Sequence, residues 1–396
     1  MQKQEGKMKT RDVVIVSGVR TPIGSFLGSL KDISAQSLGA LVIREAVKLS
    51  SLKDSQIDEV IIGNCTQTEP GGNPAREALL EAGLPFEIPA FTVNKNCASS
   101  IKSVTLATTM IQSGEADIIV AGGMENLSRA PYLLRQARTG YRLGHGVFSD
   151  LLMDGLEGMG LTAERLAEKY RISREEQDEF ACHSQMKAHK AQQAGCFKQE
   201  ILAVKVPQKK GAPLIVDHDE GVKPNTTVAV LATLKPVFKK DGTVTAGNAS
   251  TINDGAAAMV LMSADKAGEL GIKPLAKIKA HAAAGCDPQI MGIGPVPATR
   301  RLLQKAGMTL ADFDLIELNE AFAAQALAVL REWKINSSNV NIQGGAIAFG
   351  HPTGATGSIL IVKLLHMMKR QNAKNGLVTL CIGGGQGMAI ALENMN

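Results

Sequence analysis

The chain has 396 residues, 44% of them hydrophobic, and a formal net charge of +5, values typical of a globular protein with more than one core. No stretch approaches the 18 apolar residues of a membrane-spanning helix, so we expect no membrane partner. Four basic residues and one acidic residue in the first eleven account for most of the charge excess, and only 4% of residues are aromatic, so we expect no nucleic-acid partner.

Apolar strands and amphipathic helices alternate over the first 126 residues. The pattern predicts strands at Asp12–Ser17, Asp58–Asn64, Ala90–Asn94 and Ala116–Gly123, and helices at Ser34–Leu49 and Arg76–Ala82. A further helix is expected between the third and fourth strands, ending at Gly114. Asn96 is its expected N-cap, which would place Cys97 on the first turn of a buried helix.

From residue 127 to residue 252 the composition changes. Glycines and several arginines, Arg129, Arg135, Arg138 and Arg142 among them, take the place of aliphatic runs. Ser173 and Glu176 form a capping-box pattern that predicts the start of a charged surface helix. The apolar run Ala256–Met262 then returns to the core, so we predict an inserted domain between two core strands.

The last third repeats the first in outline. Three matching pairs occur in the same order: Asp58–Asn64 with Asp314–Asn319, Val93–Asn94 with Val340–Asn341, and Ile118–Gly123 with Leu377–Gly385. The spacings differ between the copies, so the repeat is weak support by itself. It nevertheless favours two copies of one α/β unit.

His351 lies within Asn341–Ser358, a stretch that also holds five glycines. Pro352 suits the first turn of a helix, so the sequence predicts His351 at a helix start, with the helix continuing to Arg370. A histidine fixed among glycines is typical of a functional site. The alternative is a tight turn that leads into a core helix.

Three further side chains combine reactivity with a special backbone position. A thiol at a helix N-terminus has a lowered pKa, so Cys97 is a candidate nucleophile and His351 a natural base for it. Cys381 stands at a strand end before a glycine-rich loop. The amide of Asn319, in a strand-to-helix turn, suits a water or an oxyanion. The alternatives are packing for both cysteines and N-capping for Asn319.

The six cysteines show neither C-x-x-C pairs nor metal-ligand spacing. No secretory apolar segment follows the charged N-terminus. We therefore expect reduced thiols, a cytoplasmic protein and no metal site.

Four motifs resemble those of thiolases, in the family's order: Asn94–Ser100, Asn319–Ala323, Gly344–Ser358 and Cys381–Gly387. Thr245–Ser250 and Arg20–Gly24 resemble two more. The resemblance implies an α/β fold with five layers, α-β-α-β-α, built from two pseudo-symmetric halves. Its expected divisions are 1–126 with 253–272 for the N-terminal half, 127–252 for an inserted loop domain that binds coenzyme A, and 273–396 for the C-terminal half.

The resemblance also implies roles for particular residues. Cys97 would carry the acyl group, His351 would activate it, and Cys381 would move the α-proton of a second acyl-CoA. A water held by Asn319 would join His351 in one oxyanion hole, and N–H groups of Cys97 and Gly383 would form the other. Ser250, Lys223 and the arginines of the insertion would contact coenzyme A, a co-substrate; no other cofactor and no metal is implied. A homotetramer or homodimer is expected.

The main functional prediction is reversible Claisen condensation of two acetyl-CoA to acetoacetyl-CoA and CoA through an acyl-cysteine. The alternative is a 3-ketoacyl-CoA thiolase for longer chains, because Asp154–Glu164 is closer to that type, whereas Gly140–Gly144 is nearer the acetoacetyl type. Ala98 stands where many relatives have glycine. A non-catalytic carrier of coenzyme A or lipid is less favoured, since Cys97, His351 and Cys381 are all present. A decarboxylating condensing enzyme would use a second histidine where this chain has Asn319.

Overall fold

The structure is a computed structural model that describes residues 11–69 and 71–396, without the side chains of 154–157. The basic N-terminal residues up to Lys9 therefore lie outside the described residues, as do the side chains that begin the Asp154–Glu164 stretch. Within the described ranges, no helix combines the length and hydropathy that crossing a bilayer requires.

Strands and helices alternate along the chain, and the elements predicted for the first third are confirmed with shifts of a few residues at their ends. The strands are β1 (Val13–Arg20), β2 (Gly24–Ser25), β3 (Glu59–Gly63), β4 (Ala90–Val93), β5 (Ile118–Asn126), β6 (Tyr132–Leu134), β7 (Phe148–Asp150), β8 (Val204–Val206), β9 (Leu214–Val216), β10 (Asn253–Ser263), β11 (Ala276–Gly285), β12 (Leu315–Leu318), β13 (Asn375–Ile382) and β14 (Gln386–Asn394). The α-helices are α1 (Ala35–Leu49), α2 (Pro74–Glu81), α3 (Ser99–Ser113), α4 (Leu151–Tyr170), α5 (Arg174–Gln193), α6 (Val228–Ala232), α7 (Ala264–Glu269), α8 (Pro295–Ala306), α9 (Ala323–Trp333), α10 (Ala346–Phe349) and α11 (Thr356–Gln371). Short 3₁₀ helices lie at Asp54–Gln56, Leu127–Arg129, Pro288–Ile293, Leu310–Asp312 and Ser337–Asn339.

Two sets of strands follow the same order and direction. In the first set, β4-β3-β5-β10-β1, the pairs on either side of β3 are parallel and the others antiparallel. The second set, β12-β13-β14-β11, begins with a parallel pair and continues antiparallel. An isolated parallel bridge between Ile316 and Val340 takes the position of β4. The repeat predicted from the sequence is therefore present in the topology.

One side-chain contact repeats in both halves. Each copy of the repeat begins with an aspartate whose Oδ2 accepts two hydrogen bonds from backbone N–H groups at the start of the neighbouring parallel strand. Asp58 accepts from Asp117 and Ile118 at 2.7 and 2.8 Å, and Asp314 accepts from Lys374 and Asn375 at 2.7 and 2.9 Å. These contacts fix the register at the same point of each half.

The three largest hydrophobic clusters lie between the layers of helices and strands. Because side chains alternate across a strand, neighbours such as Val14 and Ile15 enter different cores. One outer core lies against α1 and α2, and the other against α8 and α9. The central core buries the apolar faces of α3 and α11 between the two sets of strands. The order α-β-α-β-α confirms the predicted fold.

The chain between the paired strands β5 and β10 contains hairpins β6–β7 and β8–β9 and helices α4 to α6. Arg20, at the end of β1, reaches into this segment. Its guanidinium is fully buried, 2.7 Å from a carboxylate oxygen of Asp219 and 2.8 Å from one of Glu200. This buried triad joins the inserted segment to the first half.

Arg20→Ala should lower the free energy of unfolding by about 3–5 kcal/mol, because it leaves two buried carboxylates without their cation. Denaturant titration followed by far-UV circular dichroism measures the loss. The matched control is Arg44→Ala, which breaks the partly exposed pair with Asp54 and should cost about 0–1 kcal/mol. Equal losses in the two variants would show that the triad is not the anchor.

Candidate active site

Cys97 lies in a tight turn before α3. Asn96 adopts a left-handed backbone with a φ of 48°, and the helix begins two residues after Cys97, at Ser99. The prediction that Asn96 caps this helix, with Cys97 on its first turn, is therefore wrong. The Asn96 side chain donates instead to the carbonyl oxygen of Gly383 at 2.9 Å, and the Ser99 hydroxyl accepts from the Lys95 N–H at 2.9 Å.

The predicted lowering of the pKa of Cys97 is also wrong. Burial raises the pKa of this thiol, and the negative charge of Glu125 raises it further. Backbone N–H groups of Gly383 and of Cys97 itself act in the opposite direction by hydrogen bonding to the sulfur. Because burial outweighs these donors, Cys97 rests as a neutral thiol and requires a base for activation.

His351 lies in the turn between α10 and α11. Helix α11 begins at Thr356, so the prediction that Pro352 opens this helix is wrong, and His351 lies in the turn that precedes it. The Pro352 carbonyl accepts from the N–H groups of Ala355 and Thr356. The backbone N–H of His351 donates to Asn253 Oδ1 at 2.9 Å, which ties the turn to β10.

The hydrogen bonds of His351 define its tautomer. The Thr356 hydroxyl donates to the Pro352 carbonyl oxygen at 2.9 Å, so it accepts from His351 Nδ1, which lies 2.7 Å away. Nε2 is therefore the unprotonated nitrogen, and this buried atom has no hydrogen-bond partner among the described residues. Burial lowers the pKa of His351 to about 4, so the imidazole is neutral at pH 7 with Nε2 free to accept a proton.

Cys381 lies at the end of β13, buried against Met159, Phe322 and neighbouring apolar residues. Burial raises its pKa, and the charge of a Cys97 thiolate raises it further, which places the two cysteines within electrostatic reach of each other. The following Gly383 lies against the Cys97 turn through the Asn96 contact. Cys97, Cys381 and Gly383 therefore meet where the two halves face each other.

Asn319 follows β12 and is fully buried. Helix α9 begins four residues later with Phe322 at its N-cap position, so the N-capping alternative for Asn319 is wrong. Neither Oδ1 nor Nδ2 of Asn319 has a hydrogen-bond partner in the described structure. The amide lines a small cavity together with Pro352 and Thr356, the two neighbours of His351 described above. An unpaired buried amide at this place suits a bound water or a substrate oxygen.

Ser250 and Lys223 both belong to the inserted segment between β5 and β10. The Ser250 N–H donates to the Ala321 carbonyl at 2.9 Å, which places Ser250 beside the Asn319 turn. Lys223 lines a groove of about 600 Å³, and so does Thr251, the residue after Ser250. Of the described residues that line this groove, none is one of the four arginines named from the sequence. Arg129 forms an ion pair with Glu69, and the chain from 135 to 148 is exposed.

Two residues beside the site were not predicted from the sequence. Glu125, fully buried at the end of β5, accepts hydrogen bonds from the turn after β3 and from the His351 turn. Cys65 lies near Cys97: burial, the charge of Glu125 and the charge of a Cys97 thiolate together raise the pKa of Cys65 to about 12. The position of Glu125 at a strand end was the available signal. Within the described residues, no group of three potential metal ligands occurs.

The segments that carry the neutral imidazole, the two protonated thiols and the unpaired amide are thus joined by hydrogen bonds and a shared cavity where the two similar halves meet. These are the groups that acyl transfer through a covalent thioester requires. The fold and these groups together define a two-half α/β protein with a histidine and two cysteines on turns at the junction of the halves.

Comparison with known proteins gives the family. The models of the thiolase N-terminal and C-terminal domains match residues 13–265 and 272–394. An acetyl-CoA acetyltransferase of Pseudomonas aeruginosa is 55% identical over 389 residues, which cover 96% of this chain and 99% of that protein. The Bacillus anthracis acetyl-CoA acetyltransferase structure has a TM-score of 0.95 at 44% identity and covers 97% of this chain and 99% of its own. Human mitochondrial 3-ketoacyl-CoA thiolase in complex with CoA has a TM-score of 0.92 at 40% identity, with 98% of both chains covered. The chain belongs to the thiolase family.

Because the pKa of Cys97 is raised, its thiolate fraction at pH 7 is small and should increase with pH beyond the range of an ordinary thiol. We expect the rate of Cys97 alkylation by iodoacetamide, followed by peptide mass spectrometry, to rise continuously from pH 7 to above pH 9. A plateau below pH 7 would contradict the neutral resting thiol.

Proposed function

We propose that the chain catalyses the reversible condensation of two acetyl-CoA to acetoacetyl-CoA and CoA. The names of relatives more than 50% identical to this chain support this reaction. The observation that carries the mechanism is the free Nε2 of a neutral His351 in a site shared with two protonated thiols. Coenzyme A takes part as a co-substrate, and neither another cofactor nor a metal is part of the proposal.

In the first half-reaction, His351 Nε2 takes the proton of Cys97, and the sulfur attacks the thioester carbonyl. The carbon–sulfur bond to CoA breaks, and the leaving CoA thiolate takes the proton of Cys381. Because burial raises its pKa, Cys381 is protonated at rest and holds the proton that the leaving group takes. An acetyl-Cys97, an imidazolium and a Cys381 thiolate remain.

In the second half-reaction, the Cys381 thiolate removes an α-proton from a second acetyl-CoA. The resulting carbanion attacks the acetyl carbonyl, a carbon–carbon bond forms, and the bond to Cys97 breaks. Cys97 recovers its proton from His351, so all three groups return to their starting states. Burial keeps the Cys381 thiolate highly basic, which favours abstraction of a weakly acidic carbon-bound proton.

Negative charge develops on a carbonyl oxygen in both half-reactions. We assign one oxyanion hole to His351 with a water held by Asn319, whose side chain has no protein partner. The other uses the N–H groups of Cys97 and Gly383, which already point at the Cys97 sulfur. In the proposal, the groove that Lys223 lines receives the nucleotide end of coenzyme A, and Ser250 lies along the path of its pantetheine arm.

We further propose a homo-oligomeric, cytoplasmic protein, as a homodimer or homotetramer. Hairpin β6–β7 supports self-association, because it presents apolar side chains to solvent that a partner subunit would cover. Leu143 is 90% exposed, and Tyr132 and Phe148 are each 66% exposed. The six cysteines are free thiols, which suits a reducing compartment.

The function is tested by comparing kcat/KM for CoA-dependent cleavage of acetoacetyl-CoA with that of 3-ketohexanoyl-CoA. We expect acetoacetyl-CoA to be the better substrate, and the reverse order would move the function to the 3-ketoacyl-CoA thiolase alternative. Cys97→Ala should abolish cleavage because it removes the acyl carrier. Cys65→Ala, at the neighbouring thiol, is the matched control and should retain most of the activity.

Asn319→Ala should lower kcat by about 10²–10³-fold, because it removes one support of an oxyanion hole. KM for acetoacetyl-CoA should change much less, since this contact strengthens mainly in the transition state. Steady-state kinetics with acetoacetyl-CoA and CoA distinguish the two effects. An unchanged kcat would exclude Asn319 from the oxyanion hole.

A further inference from the structure

Glu125 is a buried carboxylate that the proposed mechanism does not use. It lies at the end of β5, and the residue is 0% exposed. A buried carboxylate is costly unless hydrogen bonds satisfy it, so its contacts indicate what it is retained for.

Five hydrogen-bond donors converge on Glu125, and all of them are neutral. Oε1 accepts from Asn64 Nδ2 at 2.8 Å and from the Thr66 N–H at 3.0 Å. Oε2 accepts from the Cys65 N–H at 3.1 Å, the Thr353 hydroxyl at 2.8 Å and the Gly354 N–H at 2.7 Å. Only an ionised carboxylate can accept all five, because a protonated one brings a donor into a ring of donors.

The donors come from two segments on opposite sides of the site. Thr353 and Gly354 belong to the His351 turn, two and three residues after the imidazole. The other segment, residues 64–66, contacts the Cys97 turn, since Asn94 Nδ2 donates to the Cys65 carbonyl at 2.9 Å. The approach is close enough that a Cβ at residue 354 would lie 2.7 Å from Glu125 Oε2.

We propose that Glu125 is a positioning residue whose ionised carboxylate holds the His351 turn against the Cys97 turn, so that protonating it misaligns base and nucleophile. This inference rests on the proposed function. Glu320 makes a comparable contact before the imidazole, accepting from the Ile347 N–H at 3.3 Å and the Ser184 hydroxyl at 2.6 Å. Two buried glutamates thus hold the His351 turn from both ends.

The titration of Glu125 gives this role a measurable signature. Burial raises its pKa to about 7, against the lowering effect of its hydrogen bonds. The ionisable groups coupled to it are the thiols of Cys65 and Cys97, whose pKa values its charge raises. His351, on the turn that it holds, has a pKa of about 4. Loss of the Cys97 thiolate also lowers activity as the pH falls, so the part of the decline between pH 8 and pH 6 that disappears when the carboxylate is removed belongs to Glu125, which is protonated at the lower pH.

The test is kcat/KM for cleavage of acetoacetyl-CoA by CoA, measured from pH 5.5 to 9 in the wild type and in Glu125→Gln and Glu125→Asp. We expect an acidic limb near pH 7 in the wild type. Glu125→Gln should lose this limb, and its plateau should fall by about 10–100-fold because the turns are misplaced at every pH. Glu125→Asp should keep a limb, since it keeps the charge. If the pH profile of kcat/KM for Glu125→Gln had the same plateau and the same acidic limb as the wild type, the proposal would be overturned.

A milder variant keeps the proposal testable if Glu125→Gln does not fold. Thr353→Val removes one donor that lowers the pKa of Glu125, so the acidic limb should shift to higher pH. Thr68→Val, at a hydroxyl with no hydrogen-bond partner in the described structure, is the matched control and should not shift it. An unshifted limb in Thr353→Val would contradict the role of Glu125. Absence of cleavage by the wild type would instead contradict the proposed function.

Discussion

The close approach of the turns before α3 and α11 is the constraint on which the site depends. These two helices form the central layer, and the Ser358 N–H donates to the Ser100 hydroxyl across it at 2.9 Å. Glycine is required there, because a Cβ at Gly123 would overlap the Gly354 carbonyl. In the proposed mechanism, the pseudo-symmetric fold thus delivers a nucleophile from one half and a base from the other to a single interface.

Burial at this interface sets the chemistry as much as geometry does. It raises the pKa of Cys97 and Cys381 and lowers that of His351, so all three groups are neutral at rest. Charges then form only when protons move between neighbours during the reaction. Such a site avoids the free-energy cost of a permanent buried ion pair. The nearby Glu125 carboxylate is charged, and the hydrogen bonds that it accepts stabilise this charge.

The architecture could be predicted from the sequence because it depends on local hydrophobic patterns and short motifs. The apolar strand patterns, together with the repeat that begins at Asp58 and again at Asp314, predict the two halves. The four motifs predict that the reactive residues lie near the ends of strands and helices. What the sequence could not predict depends on long-range contacts. The left-handed Asn96 is stabilised by Gly383, which is distant in sequence, and the direction of the Cys97 pKa follows from burial between two halves. The role of Glu125 could not be predicted from the sequence because its five hydrogen-bond donors come from segments far apart in the chain.

In the proposed mechanism, one half supplies the thiol that carries the acyl group and the other half activates it. Mass spectrometry of the protein after mixing with acetyl-CoA alone, followed by peptide mapping, tests this most directly. We predict a single acetyl group on Cys97, with release of one CoA and removal of the adduct when CoA is added back. An acetyl group on Cys381 or Cys65, or no adduct in a protein that still cleaves acetoacetyl-CoA, would contradict it.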